Sequence, residues 1–207
     1  MGNIIRSCTQ TVLLFVSQYL SPGDTVIDAT CGNGHDTVAL AKMGAGTIYA
    51  FDIQNTAIEQ TRAALERAQL YSENIHLIAD GHENMRQHVK EKVSVILFNL
   101  GYLPSSSKEI TTKKETTVKA VSEALKLLKK DGLLCITLYS GHSGGEEEKQ
   151  AVLRFARMLD PKIWHVAFIR MLNQPNQPPE ILLITLKRGV QFEEDKNCMY
   201  TGAGQPQ

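Results

Sequence analysis

Short apolar runs alternate with amphipathic stretches along most of the chain. Thr25–Ala29, Thr47–Asp52, Ile75–Ala79, Val93–Asn99, Leu133–Tyr139, Ile163–Arg170 and Ile181–Lys187 read as seven strands. The first five are almost continuously apolar, the pattern of strands covered by helices on both faces. Thr56–Leu70 carries Ile58, Ala64, Leu65 and Ala68 and follows Asn55, a residue type that caps helices. Thr117–Lys130 carries Val118, Val121, Leu125 and Leu128, and Gly132 follows as a stop signal. Ser7–Leu20 predicts an extra helix before the first strand, ended by Ser21-Pro22-Gly23, and Glu146–Leu159 predicts the last helix. Asn173–Pro179 is too short for a crossover helix, so the final two strands should be antiparallel. The expected fold is α/β: a doubly wound, seven-stranded, Rossmann-like sheet with its last strand antiparallel and an extra N-terminal helix. One domain should span 1–190, with a frayed tail over 191–207 that contains Gly202, Gly204 and Pro206.

Composition narrows the class. With 207 residues, 43% of them hydrophobic, the chain can bury one core. It has no run of 18 apolar residues, so no membrane span or membrane partner is expected. Met1–Gln10 is polar and lacks a signal-peptide core. Cys8, Cys31, Cys135 and Cys198 are far apart, with no Cys-x-x-Cys pair, which argues against a metal site or a disulfide framework and for a reduced, cytoplasmic protein. A formal net charge of zero excludes a general nucleic-acid coat, so any RNA contact must be a local patch. Oligomeric state is not fixed by the sequence, and a homodimer stays open.

The chemistry gathers at strand ends. Asp28 closes the first strand and Cys31-Gly32-Asn33-Gly34 follows, with a helix beginning at His35. Glycines there let a ligand approach the backbone, and N–H groups at the helix start favour electron-rich atoms. Gly-x-Gly also occurs in nicotinamide-binding folds, but Thr37 stands where their third glycine belongs. Asp-x-x-x-Gly-x-Gly resembles the first motif of class I S-adenosylmethionine (SAM) methyltransferases. Asp52, in Phe51-Asp52-Ile53-Gln54, lies about 20 residues past Gly32, the spacing that brings a carboxylate to ribose hydroxyls. Asp80 and His82 follow the third strand, where Asp80 can accept an adenine amine and His82 can lie beside the ring. The cofactor candidates are therefore Asp28, Gly32, Asn33, Gly34, Asp52, Gln54, Asp80 and His82. Each alone has a plainer reading as a cap, turn or packed side chain. Their placement at successive strand ends favours a ligand site.

Strand four ends in Asn99-Leu100-Gly101-Tyr102, which resembles the Asn-Pro-Pro-Tyr motif of methyltransferases acting on base amino groups, with Leu-Gly in place of Pro-Pro. Such a reaction needs acceptors for the amine N–H groups, so Asn99 and the Leu100 carbonyl are catalytic candidates and Tyr102 a stacking platform. None of the cysteines is well placed as a nucleophile, which favours nitrogen or oxygen methylation over carbon methylation. Lys108, Lys113 and Lys114 lie in a polar segment that can meet substrate phosphates or simply be solvated, and Tyr139 and His142, in a glycine-rich segment after strand five, can line the substrate pocket or simply belong to a turn capped into the last helix. Glu146-Glu147-Glu148 reads as a favourable charge run in a first helical turn.

Asp28–Asp36, Phe51–Gln54, Phe98–Pro104, Ile110–Thr112, Tyr139–His142 and Gly144-Gly145 together resemble a bacterial family labelled rRNA methylases, over Ile4 to about Arg188. The resemblance implies the MnmM type of tRNA methyltransferase. That type uses SAM to methylate the amine of 5-aminomethyl-2-thiouridine at the wobble position of the tRNA anticodon stem-loop. Ser105–Lys108 departs from the expected Gly-Gly-Asp-Lys type of loop. A ribosomal RNA or small-molecule amine acceptor is the alternative within methyltransferases.

Overall fold

The computed structural model describes residues 7–101, 112–141 and 144–187. The chain runs α1 (Cys8–Tyr19), β1 (Thr25–Asp28), α2 (His35–Lys42), β2 (Thr47–Asp52), α3 (Asn55–Arg67) and β3 (Ile75–Ala79). A 3-10 turn (His82–Asn84) leads into α4 (Met85–His88), β4 (Val93–Leu100), α5 (Lys114–Leu127), β5 (Leu128–Leu138), α6 (Gly145–Arg157), β6 (Trp164–Ile169) and β7 (Glu180–Leu186). The strands form one sheet in the order β3-β2-β1-β4-β5-β7-β6. The first five are parallel, and β7 lies antiparallel to both β5 and β6. The doubly wound, class I methyltransferase-like sheet expected from the apolar rhythm is the observed fold.

Alternation along the strands divides the interior into two layers. Val95 and Leu97 of β4 join Val12 and Val16 of α1, Leu40 of α2 and Leu65 of α3. Ile96 and Phe98 face the other way, toward Met85, Val121, Leu125 and Val152. Every residue of β4 is buried except Asn99, which is intermediate. A strand apolar on both faces belongs in the middle of such a sheet, and its one partly exposed residue lies one position before its carboxyl end.

Local signals hold with adjustments. Ser7 caps α1, accepting a bond from the Gln10 amide at 3.2 Å. Asn55 is the first helical residue of α3, and Gln54 holds the cap position without a side-chain bond. Helix α5 starts at Lys114 and stops at Leu127, earlier than Gly132 suggested, because Leu128 turns extended and pairs with Val93. Asp131 then takes a left-handed φ of 59° within β5. Gly132 relieves crowding there, since a Cβ on it would sit 2.9 Å from the Lys129 carbonyl oxygen. The edge strand β6 is largely exposed, unlike the strands that precede it. The tail over 191–207 lies outside the described residues.

Candidate active site

The glycine turn is shaped by its neighbours. At its start the Ala29 amide donates to the Leu97 carbonyl at 2.8 Å, and the Cys31 amide to the Phe51 carbonyl at 2.9 Å. These bonds hold the chain leaving β1 between β4 and β2. Gly32 has a φ of 51° and Gly34 a φ of 80°, both left-handed. The Gly32 amide donates to Asp52 Oδ2 at 3.2 Å, and its carbonyl accepts from the Thr61 hydroxyl at 3.1 Å. Around this turn, at the carboxyl ends of β1 to β5, lies a cavity of about 500 Å³.

Gly32, Asn33, Asp52, Gln54, Asp80, His82, Asn99, Lys113 and Tyr139 all line that cavity, as the sequence suggested. Asp52 is half-buried at the end of β2, and its Oδ1 accepts the Gln54 amide at 3.0 Å. Burial pushes its carboxyl up, while the Gln54 and Gly32 amides pull it back. Asp80 is occupied differently from the adenine-amine reading. Its Oδ1 accepts from the Gly81 amide at 2.7 Å and from Asn84 Nδ2 at 2.9 Å, and its Oδ2 lies 2.8 Å from His88 Nε2. It therefore caps the turn after β3 while standing at the cavity wall, with the His88 contact the largest influence holding its carboxyl low. His82 is buried with its ring edge-on to Phe98, centroids 5.5 Å apart. Burial lowers its pKa, and it hydrogen-bonds the Ala29 backbone, which fixes the ring beside the turn.

Four expectations change. Asp28 does not reach the cavity: it is fully buried, and its carboxylate accepts from the Thr37 hydroxyl at 2.6 Å and the Thr30 amide at 3.3 Å. It fastens the turn from beneath. Gly34 is a packing glycine, since a Cβ there would lie 2.8 Å from Thr61 Cα in α3. Leu100 is buried in the core and is not among the residues that line the cavity, although Asn99 and Gly101 on either side of it are. Lys114 opens α5 beside Glu115, 3.5 Å away, and is not among the lining residues. Tyr102, Lys108 and His142 lie outside the described residues.

The structure also brings in residues that the sequence did not single out. Asp36, in the first turn of α2, lines the cavity and accepts a short bond from Asn99 Nδ2. The Asn99 amide donates to the Thr30 hydroxyl at 2.7 Å. Glu148, expected in an exposed charge run, is buried. It accepts from the hydroxyls of Thr112 at 2.7 Å and Thr117 at 2.5 Å. Thr112 in turn accepts from the Gly101 amide at 3.1 Å and donates its own amide to the Gly101 carbonyl at 3.1 Å. Glu148 thereby anchors the chain just beyond β4. Cys31 also lines the cavity, but burial, chiefly, and the nearby Asp28 push its thiol far above its ordinary value.

The chain matches the family described as "Putative rRNA methylase" over residues 48–185. A chloroplastic tRNA (mnm(5)s(2)U34)-methyltransferase of Arabidopsis thaliana is 39% identical over 194 residues, covering 88% of this chain and 70% of that relative. A crystal structure titled as a "putative rRNA-methylase" from Clostridium thermocellum is 38% identical with a TM-score of 0.85, covering 88% of this chain and 99% of that one. SMU.1697c, described as "a putative methyltransferase" from Streptococcus mutans and solved in complex with SAH, is 39% identical with a TM-score of 0.81 and the same coverage.

The buried acid beneath the turn has a measurable consequence. Burial, then the charge of Asp36, pushes Asp28 up to about 7 from an ordinary value of 3.8. Between those two pH values the folded chain binds more protons at this site than the unfolded chain does, so its contribution to stability falls as pH rises. Asp28→Asn should remove that decline. Urea unfolding of both proteins at a series of pH values from 4 to 7 checks it. An unchanged slope in the variant would contradict the assignment.

Proposed function

The chain belongs to the rRNA methylase family and is a SAM-dependent methyltransferase, and from that premise we propose that it methylates the amine of 5-aminomethyl-2-thiouridine at the tRNA wobble position, giving 5-methylaminomethyl-2-thiouridine. The observation that carries this reading is the 39% identity to the Arabidopsis tRNA methyltransferase over 88% of the chain. The anticodon stem-loop is the partner in this reading, with Lys113 at the cavity wall placed for a phosphate. Among the described residues no helix is long and apolar enough to cross a membrane. A cytoplasmic location fits the reading, although the plant relative is chloroplastic.

The cavity residues suit the cofactor chemically. Asp52 uses its two oxygens for the Gly32 and Gln54 amides, and an ionised carboxylate has about four acceptor positions, so lone pairs remain for ribose hydroxyls. Gly32, Asn33 and Gln54 complete that wall, with Asp80 and His82 on the neighbouring side. SAM supplies an electrophilic methyl group on a sulfonium centre. The protein's part is placement: Asn99 Oδ1 and the Leu100 carbonyl accept the amine N–H groups and aim the nitrogen lone pair. Positioning of this kind accounts for a large share of the acceleration in two-reactant chemistry. Cys31 stays a thiol and His82 is committed to the Ala29 backbone, so neither is assigned a step.

Purified protein with SAM should methylate tRNA carrying 5-aminomethyl-2-thiouridine and leave tRNA with unmodified uridine unchanged, read by nucleoside mass spectrometry. Equal incorporation into both would overturn the amine assignment, and methylation of ribosomal RNA alone would favour the alternative acceptor. Asn99→Ala should lower the single-turnover rate at saturating SAM and tRNA while sparing SAM affinity.

Asp52→Ala should weaken SAM binding by about 1.5–3 kcal/mol, the range for hydrogen bonds to a charged group. Calorimetry on the folded variant tests this, and an unchanged affinity would remove Asp52 from the ribose.

A further inference from the structure

Asn99 is held at two points from different elements. Its backbone amide is tied to Thr30 after β1, and its side-chain nitrogen to Asp36 at the start of α2. Among the described residues Asn99 Oδ1 takes no hydrogen bond. The two ends of an amide side chain are nearly the same shape but opposite in chemistry, and only the surrounding network decides which way it turns. Here that network is one carboxylate. An ionised Asp36 can only accept, so it must face the Asn99 NH2 group and leave the oxygen to the cavity. A protonated acid in the same place would be able to donate to Oδ1 and turn the NH2 group outward instead.

We propose that Asp36 is the positioning residue for the methyl acceptor: by taking the Asn99 Nδ2 donor, it makes Asn99 Oδ1 the atom presented to the substrate, and so selects an acceptor that brings an N–H donor. The proposal rests on the amine reading above for its substrate and on the Asp36–Asn99 geometry for its mechanism. Asp36 has titratable neighbours on every side. Burial raises its pKa, while the Asn99 donor and His35, on the same helix, pull it back. Asp28, buried beneath it, is pushed up by its own burial and then by the Asp36 charge. Tyr139 and Cys135 both feel the Asp36 charge, and their own pKa values are raised, chiefly by burial. A selective role results. An acceptor that offers only lone pairs would meet the lone pairs of Asn99 Oδ1, whereas an amine offers the matching donor.

The test has two arms. In the first, the ligand-free protein is labelled with 15N-asparagine and the Asn99 side-chain NH2 signal is identified by its loss in Asn99→Ala. The wild type should show these protons protected from exchange with water, and Asp36→Ala, which removes the acceptor, should lose the protection. Equal protection in the two proteins would overturn the proposal. In the second arm, single-turnover methylation of aminomethyl tRNA at saturating SAM should fall about 100-fold in Asp36→Ala, the scale of a misplaced reacting group, with SAH affinity and the tRNA KM held. A loss of SAH affinity matching the loss of rate, or an unchanged rate, would overturn it. Asp36→Glu, which keeps an acceptor but shifts it, should fold and fall between the two; should Asp36→Ala not fold, this variant decides both arms. If the wild type leaves aminomethyl tRNA unmethylated, the substrate reading fails while the exchange arm still decides whether Asp36 orients Asn99.

Discussion

A carboxylate with no access to solvent determines the shape of this cavity. Asp28 ends β1, and the hydroxyl of Thr37 reaches back to it from the second half of the first turn of α2. That bond closes the path between strand and helix, and with the Thr30 amide it satisfies a group whose burial is otherwise costly. The turn above it is then stretched between two other partners, Asp52 on β2 and Thr61 on α3, each gripping Gly32 from its own side. Because the turn is fixed at three points by side chains from three elements, its backbone can stand open toward a ligand without collapsing onto it. Replacing any one of these partners would act on the cavity through the turn, even though Asp28 never meets the ligand.

The opposite wall depends on a second buried acid. Glu148 receives two hydroxyl bonds and, through Thr112, determines where the chain leaves β4. Asn99 sits between these two supports: Thr30 and Asp36 hold it from the glycine-turn side, and the Gly101–Thr112 pairing holds the next residue but one from the other. The central strand delivers Asn99 to the cavity, yet it is Asp36, on a flanking helix, that takes its side-chain amide, while Glu148 holds the chain that follows.

Legibility in the sequence divides along the same line. Strands such as Thr47–Asp52 and Ile75–Ala79 are predicted with their observed bounds, because each short, mainly apolar run stops where a polar turn begins. The strand-end residues Asp52, Asp80, His82 and Asn99 are found at or just past the close of each run, since a parallel sheet puts all those ends on one side. Asp36 escapes this approach because its partner lies 63 positions away, and in sequence it resembles any acid in a first helical turn. Glu148 escapes for a similar reason: two of its neighbours are also glutamates, and nothing local separates the buried one from those in solvent. Asp28 and Gly34 belong to the motif but work inward, Gly34 making room for Thr61 of α3. A motif records which residues a site requires without saying which of them touch the ligand.

The division has a chemical rationale. Recognition of a nucleotide-like cofactor can rest on backbone amides and a carboxylate at a strand end, all of which are set by the fold itself. Selecting one acceptor over another requires a polar group with a defined direction, and an amide side chain has none until a neighbour supplies it. Placing that neighbour on the helix that succeeds the glycine turn couples the two demands. The turn that leaves its backbone open to the cavity leads straight into the helix whose Asp36 holds Asn99, and Asp28 is buried beneath both. In this arrangement a change in the glycine turn reaches Asn99 through Thr30 and Asp36, which is the constraint that follows when two sides of one cavity share a turn.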